Sequence, residues 1–217
     1  MREGNEIMYS KDQILSTINK CLEEKGTRKF TQTVELALNF RETDFSKPEN
    51  RLNLEVVLPK GRGKTVNIVV FADGALAADA KTAGADVIIS GAEIPNLEKK
   101  KLKNMADNSE FFAQPQLMMQ IGKSFGQVLG GRGKLPKPIV GNVGQILKNV
   151  RNTVKLRTKG KNLPTVHCPV GTEKMSAEDI YENISAVLNA VTNKLGEQRF
   201  ASAYLKLSMG KSIKIGA

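Results

Sequence analysis

The sequence predicts an α/β protein of two domains, in which a Rossmann-like α/β domain is inserted into an α+β outer domain made from both ends of the chain. Three observations predict it. Residues 1–64 and 155–217 each carry an amphipathic helix and strands with one apolar face. Residues 65–154 change to short, wholly apolar runs around an Ala-rich helical stretch. The changes fall at Pro59 and the Gly61-Arg62-Gly63-Lys64 run, and again near 151–155. Half-exposed sheets alternate in polarity, whereas strands covered on both faces read as continuous apolar runs. Two chain crossings between domains make a two-strand hinge.

In the first segment, Ser10 followed by Gln13 is a capping-box pattern. Ile14, Leu15, Ile18, Cys21 and Leu22 follow at helical spacing, and Gly26 ends the run. Cys21 falls on this stripe and reads as a core thiol. Residues 33–38 alternate, with Val34, Leu36 and Leu38 on one face, and 52–58 alternate before turning apolar.

The central segment opens with an apolar strand, Val66 to Phe71, an Ala-rich helix, Ala75 to Ala83, and a buried strand, Asp86 to Ser90. Together they form a βαβ unit with a parallel sheet. Phe111 to Ala113 suits a third strand, Gln116 to Ile121 a helical turn, Gly126 to Pro138 a basic loop, and Val143 to Val150 a short helix. In the last segment Ser176 and Asp179 open a helix whose stripe is Ile180, Ile184, Val187, Leu188, Val191 and Leu195, ended by Gly196. Ala203 to Leu207 alternates as a strand, followed by Ser208-Met209-Gly210 and residues 212–215.

Composition excludes several classes. At 217 residues and 40% apolar, the chain can bury a core, which rules out bulk disorder. No apolar run approaches the ~18–20 residues of a membrane helix. The polar start, Met1 to Ser10, lacks the apolar stretch of a signal peptide. Cys21 and Cys168 lie too far apart in sequence for a disulfide framework and fit a reducing cytosol. One His and two scattered Cys argue against structural zinc. The net charge of +11 points to a polyanionic partner, the alternative being a merely solvated basic surface. It divides as +2 over 1–64, +4 over 65–154 and +5 over 155–217, so it decorates folded segments.

The motifs of catalysis fail on inspection. The first βα turn reads Ala72-Asp73-Gly74-Ala75, without the glycines of a dinucleotide site. Gly63-Lys64-Thr65 and Gly122-Lys123-Ser124 end like phosphate loops, but Leu58 and Leu117 stand where the first glycine belongs. His167 and Cys168 are neighbours on a strand, so their side chains point to opposite faces. Asp73 and Asp79 are isolated acids, and Asp73 before Gly74 suits a turn or a helix cap. An α/β enzyme acting on an anionic or phosphorylated substrate in the interdomain cleft is the rival reading, and it lacks both a phosphate cradle and an acid–base pair.

Three basic clusters carry more: Lys25 to Phe30, Lys155 to Lys161 and Lys206 to Lys214, all in the outer segments. Folded together, they would form one phosphate-neutralising surface, with Phe30 or Met209 to pack on a ribose or base.

Several stretches then combine in order. They are Arg28-Lys29-Phe30-Thr31-Gln32-Thr33-Val34-Glu35-Leu36, Leu58-Pro59-Lys60-Gly61-Arg62-Gly63-Lys64, Ala83-Gly84-Ala85-Asp86, the Gly130 to Pro138 run, His167-Cys168-Pro169-Val170-Gly171 and Ser208-Met209-Gly210. This ordered set resembles the family of large-subunit ribosomal protein one, the mobile stalk protein beside the tRNA exit site, in its archaeal type. The resemblance implies the two-domain insertion and a structural, non-catalytic role in the large ribosomal subunit. It implies binding to large-subunit rRNA, repression of translation through the protein's own mRNA, and contact with deacylated tRNA at the exit site. It also implies a cytoplasmic, ribosome-bound protein that is monomeric when free, with no cofactor, metal or membrane.

Carried over position by position, Lys29, Phe30, Thr31, Thr33 and Glu35 would lie on the first RNA-facing strand. Thr165 and His167 would lie on another, and Ser208, Met209 and Gly210 would form the last element. Glu35 would accept hydrogen bonds from a ribose 2′-hydroxyl or a base amino group. The chain departs from the family pattern at Lys211, where many relatives carry Pro. It departs again in the 130–138 loop, which reads Gly-Arg-Gly-Lys-Leu-Pro where Gly-Pro-Arg-Gly is common. That loop would meet RNA or tRNA.

Overall fold

The computed structural model describes residues 9–45, 47–107, 109–158 and 163–216, and these divide into two units. The outer unit runs up to Lys64 and resumes at Asn152; the inserted unit is Thr65–Arg151. The second crossing, Arg151 to Asn152, falls at the start of the expected stretch 151–155. Thr153 and Val154 pair with Val57 and Val56 of the outer unit, and this strand pairing draws them out of the inserted one.

In chain order the main elements are α1 (Lys11–Leu22), β1 (Thr33–Phe40), β2 (Asn53–Val57), β3 (Asn67–Phe71), α2 (Gly74–Thr82), β4 (Val87–Ile89), α3 (Lys99–Ala106), β5 (Ser109–Ala113), α4 (Met118–Gly130), β6 (Lys137–Pro138), α5 (Val143–Asn152), β7 (Thr153–Arg157), β8 (Thr165–Thr172), α6 (Ala177–Leu195), β9 (Phe200–Leu207) and β10 (Ile213–Lys214).

The outer unit is built on an antiparallel sheet of order β10-β9-β1-β8, beside a two-stranded sheet of β2 and β7. Along β1, Val34, Leu36, Leu38 and Phe40 are buried, while Thr33, Glu35, Ala37 and Asn39 are half-exposed. The buried set packs with α1 and α6 in one core.

Helix α1 starts as its sequence dictates. The Ser10 hydroxyl accepts the Gln13 N–H at 3.3 Å, and Gln13 Oε1 accepts the Ser10 N–H at 3.0 Å. Two N–H donors at the helix start, those of Ser10 and Gln13, are thereby satisfied. It ends at Leu22, short of the expected Gly26, and Gly26 takes φ 73° in the turn that follows.

Helix α6 buries its whole predicted stripe, each large side chain contributing about 1.5–3 kcal/mol. Asn183 lies in the same stripe and is fully buried. Its Oδ1 accepts the Lys60 N–H at 3.1 Å, and its Nδ2 donates to the carbonyls of Gly61 (2.9 Å) and Val170 (2.8 Å). One polar residue thus fixes the crossing segment to the helix. Gly63 sits close by because a Cβ there would lie 2.5 Å from Thr172 Oγ1, at φ 66°.

The inserted unit carries a parallel sheet of order β4-β3-β5-β6. Val69 and Phe71 of β3 pack with Leu102 of α3 and with Ile121 and Phe125 of α4. Ile68 and Val70 pack on the other face with Ala80 of α2 and Leu147 of α5. Helices on both faces explain the uninterrupted apolar run of β3.

Three expectations are corrected here. The run from Asp86 to Ser90 yields only β4, an edge strand whose Val87 is exposed, since no strand pairs beyond it. The turn expected over 116–121 grows into α4, which takes in Gly126 to Gly130 of the expected loop. Ile121, Phe125 and Leu129 repeat every four residues and bury against the sheet, which outweighs the glycines. Helix α3 was not expected at all.

Candidate nucleic-acid interface

Residues carried over by resemblance fall in two places. Thr33 and Glu35 on β1 and Thr165 and His167 on β8 lie on the sheet face opposite the core. Lys29, Phe30, Thr31 and the 208–210 turn lie where β1 begins and β9 ends. Lys29, Phe30 and Thr31 thus precede the first strand instead of lying on it. The chain reaches strand pairing only at Thr33, because the Gln32 N–H is donated to Glu173 Oε1 at 3.0 Å.

That carboxylate orders the whole end of the sheet. Glu173 Oε2 accepts the Gly26 N–H at 3.2 Å and Gln32 Nε2 at 3.4 Å. The Gln32 N–H, above all, holds the Glu173 carboxyl below its ordinary value, with help from the Gly26 N–H. Gln32, itself buried, accepts the Met209 N–H on its Oε1 at 3.2 Å. Gln32 and Glu173 therefore tie the segment before β1, the end of β8 and the turn after β9 into one piece.

Ser208 completes the junction. Its hydroxyl accepts the Thr33 N–H at 3.2 Å and donates to the Thr33 carbonyl at 3.3 Å, while its own N–H donates to the same carbonyl at 3.0 Å. Ser208 thus positions the turn. Gly210 allows close approach: a Cβ there would lie 2.9 Å from Glu24 Oε2 and 3.1 Å from Leu207 Cβ. Two large apolar side chains are left outward, Phe30, 53% exposed, and Met209, 61% exposed. Two exposed apolar groups on a polar, basic rim are what a ribose or base packs against.

The sheet face is layered across strands. Glu35 stands between Pro169 and Lys206, and Ala37 between His167 and Tyr204. Thr165 Oγ1 donates to Asn39 Oδ1 at 2.8 Å, and Asn39 Nδ2 donates to Ser202 Oγ at 3.0 Å. His167 is exposed and Cys168 buried, on opposite faces as the strand geometry requires. Burial pushes the Cys168 thiol up to about 12 and the Cys21 thiol to about 11.

Sequence reasoning assigned no role to Gln32, Glu173, Asn39, Ser202 or Tyr204. The alternation of β1 could have supplied Asn39, which is in phase with Glu35. Nothing local signals Glu173, whose partners lie about 140 residues away in sequence.

Two basic clusters, 25–30 and 206–214, adjoin this sheet end. The third does not join the same sheet: Lys155 and Arg157 are on β7, opposite Glu55 and Asn53. Its Lys159, Gly160 and Lys161 lie outside the described residues, as does the polar start over 1–8. Among the described residues there is no group of three or more His, Cys, Asp or Glu side chains placed to hold a metal ion, and no helix long and apolar enough to cross a membrane. The Asp73 carboxylate accepts the Gly91 N–H at 2.9 Å rather than capping α2.

An α+β unit formed from both ends of the chain and split by a parallel-sheet unit defines a class of two-domain proteins. Comparison with known proteins gives the family. The model of the Ribosomal protein L1p/L10e family matches residues 21–211, and the chain belongs to that family. It is 42% identical over 215 residues to the large ribosomal subunit protein uL1 of Pyrococcus abyssi, covering 95% of this chain and 97% of that one. It is 43% identical over 210 residues to the protein of the same name from Methanothermobacter thermautotrophicus (94% and 98% covered). It is 40% identical over 216 residues to that from Archaeoglobus fulgidus (96% and 100% covered). The similarity is of the archaeal type. The family is one of structural ribosomal proteins, so the reading as a cleft enzyme falls.

Proposed function

We propose that this chain is a structural constituent of the large ribosomal subunit, located on cytoplasmic ribosomes, that binds large-subunit rRNA through its outer unit. The observation that carries the reading is the junction of residues 26–33 with the 208–210 turn. Two segments about 175 residues apart in sequence are locked by Gln32, Glu173 and Ser208 so that Phe30 and Met209 stand exposed beside lysines. Phe30 and Met209 pack on sugar or base. Lys29 neutralises phosphate, while Thr31, Thr33, Glu35, Thr165 and His167 offer polar contacts to 2′-hydroxyls and base edges. Ser208 and Gly210 hold the turn that presents Met209.

The same surface would bind a similar fold in the protein's own mRNA, making the chain a translational repressor. The inserted unit, with its net charge of +4 over 65–154, would meet deacylated tRNA at the exit site. Off the ribosome the chain is a monomer, with its outer and inserted units joined by a two-strand hinge.

The test is competition binding. Labelled large-subunit rRNA stalk fragment, bound to the full chain, is displaced with unlabelled stalk rRNA, with the leader of its own mRNA and with deacylated tRNA. Displacement by the mRNA leader that Phe30→Ala weakens supports a shared site. Displacement by every RNA alike overturns it.

A further inference from the structure

We propose that the first turn of α3, on the inserted unit, is a second contact for RNA phosphates, resting on the ribosomal reading above. Helix α3 carries Lys99, Lys100, Lys101 and Lys103 in its first five residues, and all four are exposed. Among the described residues none of the four has a carboxylate within ion-pair distance. The first turn holds no acid, and Glu98 at the N-cap makes no side-chain bond to it.

This arrangement opposes the helix's own electrostatics. The N-terminal end carries partial positive charge, where cations are unfavourable. Lys99 and Lys103 stand four apart, a like-charge spacing that also weakens a helix. Of its eight residues only Leu102 and Ala106 are buried. An anion lying over this turn relieves both repulsions at once and accepts from backbone N–H groups that no side chain caps.

The ground beside the lysines fits a nucleotide. A cleft of about 420 Å³ runs between β4 and α3, lined by Asn67, Val87, Asn104, Met105 and Ser109, with Lys101 on its wall. A second cleft of about 360 Å³ shares Val87, Lys101 and Met105. The carboxylates lining these clefts are engaged internally. Asp86 Oδ2 accepts the Ile68 N–H at 2.7 Å, and Glu93 Oε2 accepts the Ser90 N–H at 3.0 Å. Phosphates would lie on the lysines, a sugar or base against Val87 and Met105, and base edges on Asn67 and Asn104. An acidic protein segment would match the lysines but not the carboxylates Asp86 and Glu93 on the cleft walls, whereas a base offers amino donors to them.

The experiment uses the full chain rebound to large ribosomal subunits stripped of this protein, over a potassium chloride series. The variant combines Lys99→Gln, Lys100→Gln, Lys101→Gln and Lys103→Gln. Each lost phosphate contact removes about 0.7–0.9 from the log–log salt slope, so with all four lysines on phosphates the slope should become shallower by about 3. Its melting temperature should equal or exceed that of the parent chain, because the lysines strain the helix. A photo-crosslinker attached at position 100 should label RNA. An unchanged slope, a lower melting temperature or crosslinks to protein alone would overturn the proposal. Failure of the parent chain to rebind would overturn the ribosomal reading, and this one with it.

Discussion

Among the described residues, Phe30 and Met209 are the large apolar side chains exposed at the locked end of the outer sheet, and the proposed RNA surface rests on both. Phe30→Ala and Met209→Ala each remove packing without removing charge. Each should weaken binding to large-subunit rRNA by about 1–3 kcal/mol while leaving the salt slope unchanged, as measured by titration at several ionic strengths. Glu173 acts through order instead of contact. Its carboxyl is held below the ordinary value of 4.5, so the stabilisation it gives is fully present above that pH and is lost as pH falls through the lower folded value. Hydrogen exchange at the Gly26 and Gln32 amides, expressed as protection relative to the intrinsic rate at each pH, should therefore be strong at neutral pH and be lost in acid, and Glu173→Ala should remove that protection at every pH. The thiols of Cys21 and Cys168, pushed up to about 11 and 12, should resist a thiol reagent at pH 8 until the protein is unfolded. At this scale Phe30 and Met209 were singled out by cluster and resemblance, and the burial of Cys21 was legible from its apolar stripe, whereas Cys168 was placed only on the face opposite His167. Gln32 and Glu173 were not legible, since their bonds join parts of the chain distant in sequence.

Helix α6 is the element whose reading was most complete. Ser176, the apolar stripe and Gly196 are local signals, and each does in the structure what its chemistry requires. Ser176→Ala should cost about 1 kcal/mol through the lost cap, and Ile184→Ala about 2–5 kcal/mol through the cavity left behind, both measured by denaturant unfolding. Asn183→Ala leaves the Lys60 N–H and the Gly61 and Val170 carbonyls without their partner, and should cost at least about 2 kcal/mol. Asn183 was hidden in the sequence because a polar residue on an apolar stripe reads as an interruption. Helix α3 was hidden for the opposite reason: four lysines in eight residues mask a stripe of Leu102 and Ala106. In α4 the glycines at 126 and 130 suggested a loop, but they occupy positions where a Cβ would meet little, while Ile121, Phe125 and Leu129 supply the core face.

For the molecule as a whole, the insertion of a parallel-sheet unit into an α+β unit was legible from texture: alternating strands at both ends and continuous apolar runs between. Within the expected stretch 151–155 the exact crossing is set by Thr153 and Val154 pairing across to β2, and strand pairing between distant segments leaves little trace in sequence. The net charge of +11 sets only a tendency to bind polyanions. In the function proposed above, specificity comes from the neutral and polar groups of the locked sheet end. Affinity for the large-subunit rRNA stalk fragment, measured beside an unrelated RNA of equal length across a salt series, separates the two most directly. The account predicts nanomolar-range binding to the stalk fragment, far tighter than to the unrelated RNA, with the difference persisting as salt rises. Equal affinity for both RNAs, falling together with salt, would contradict it.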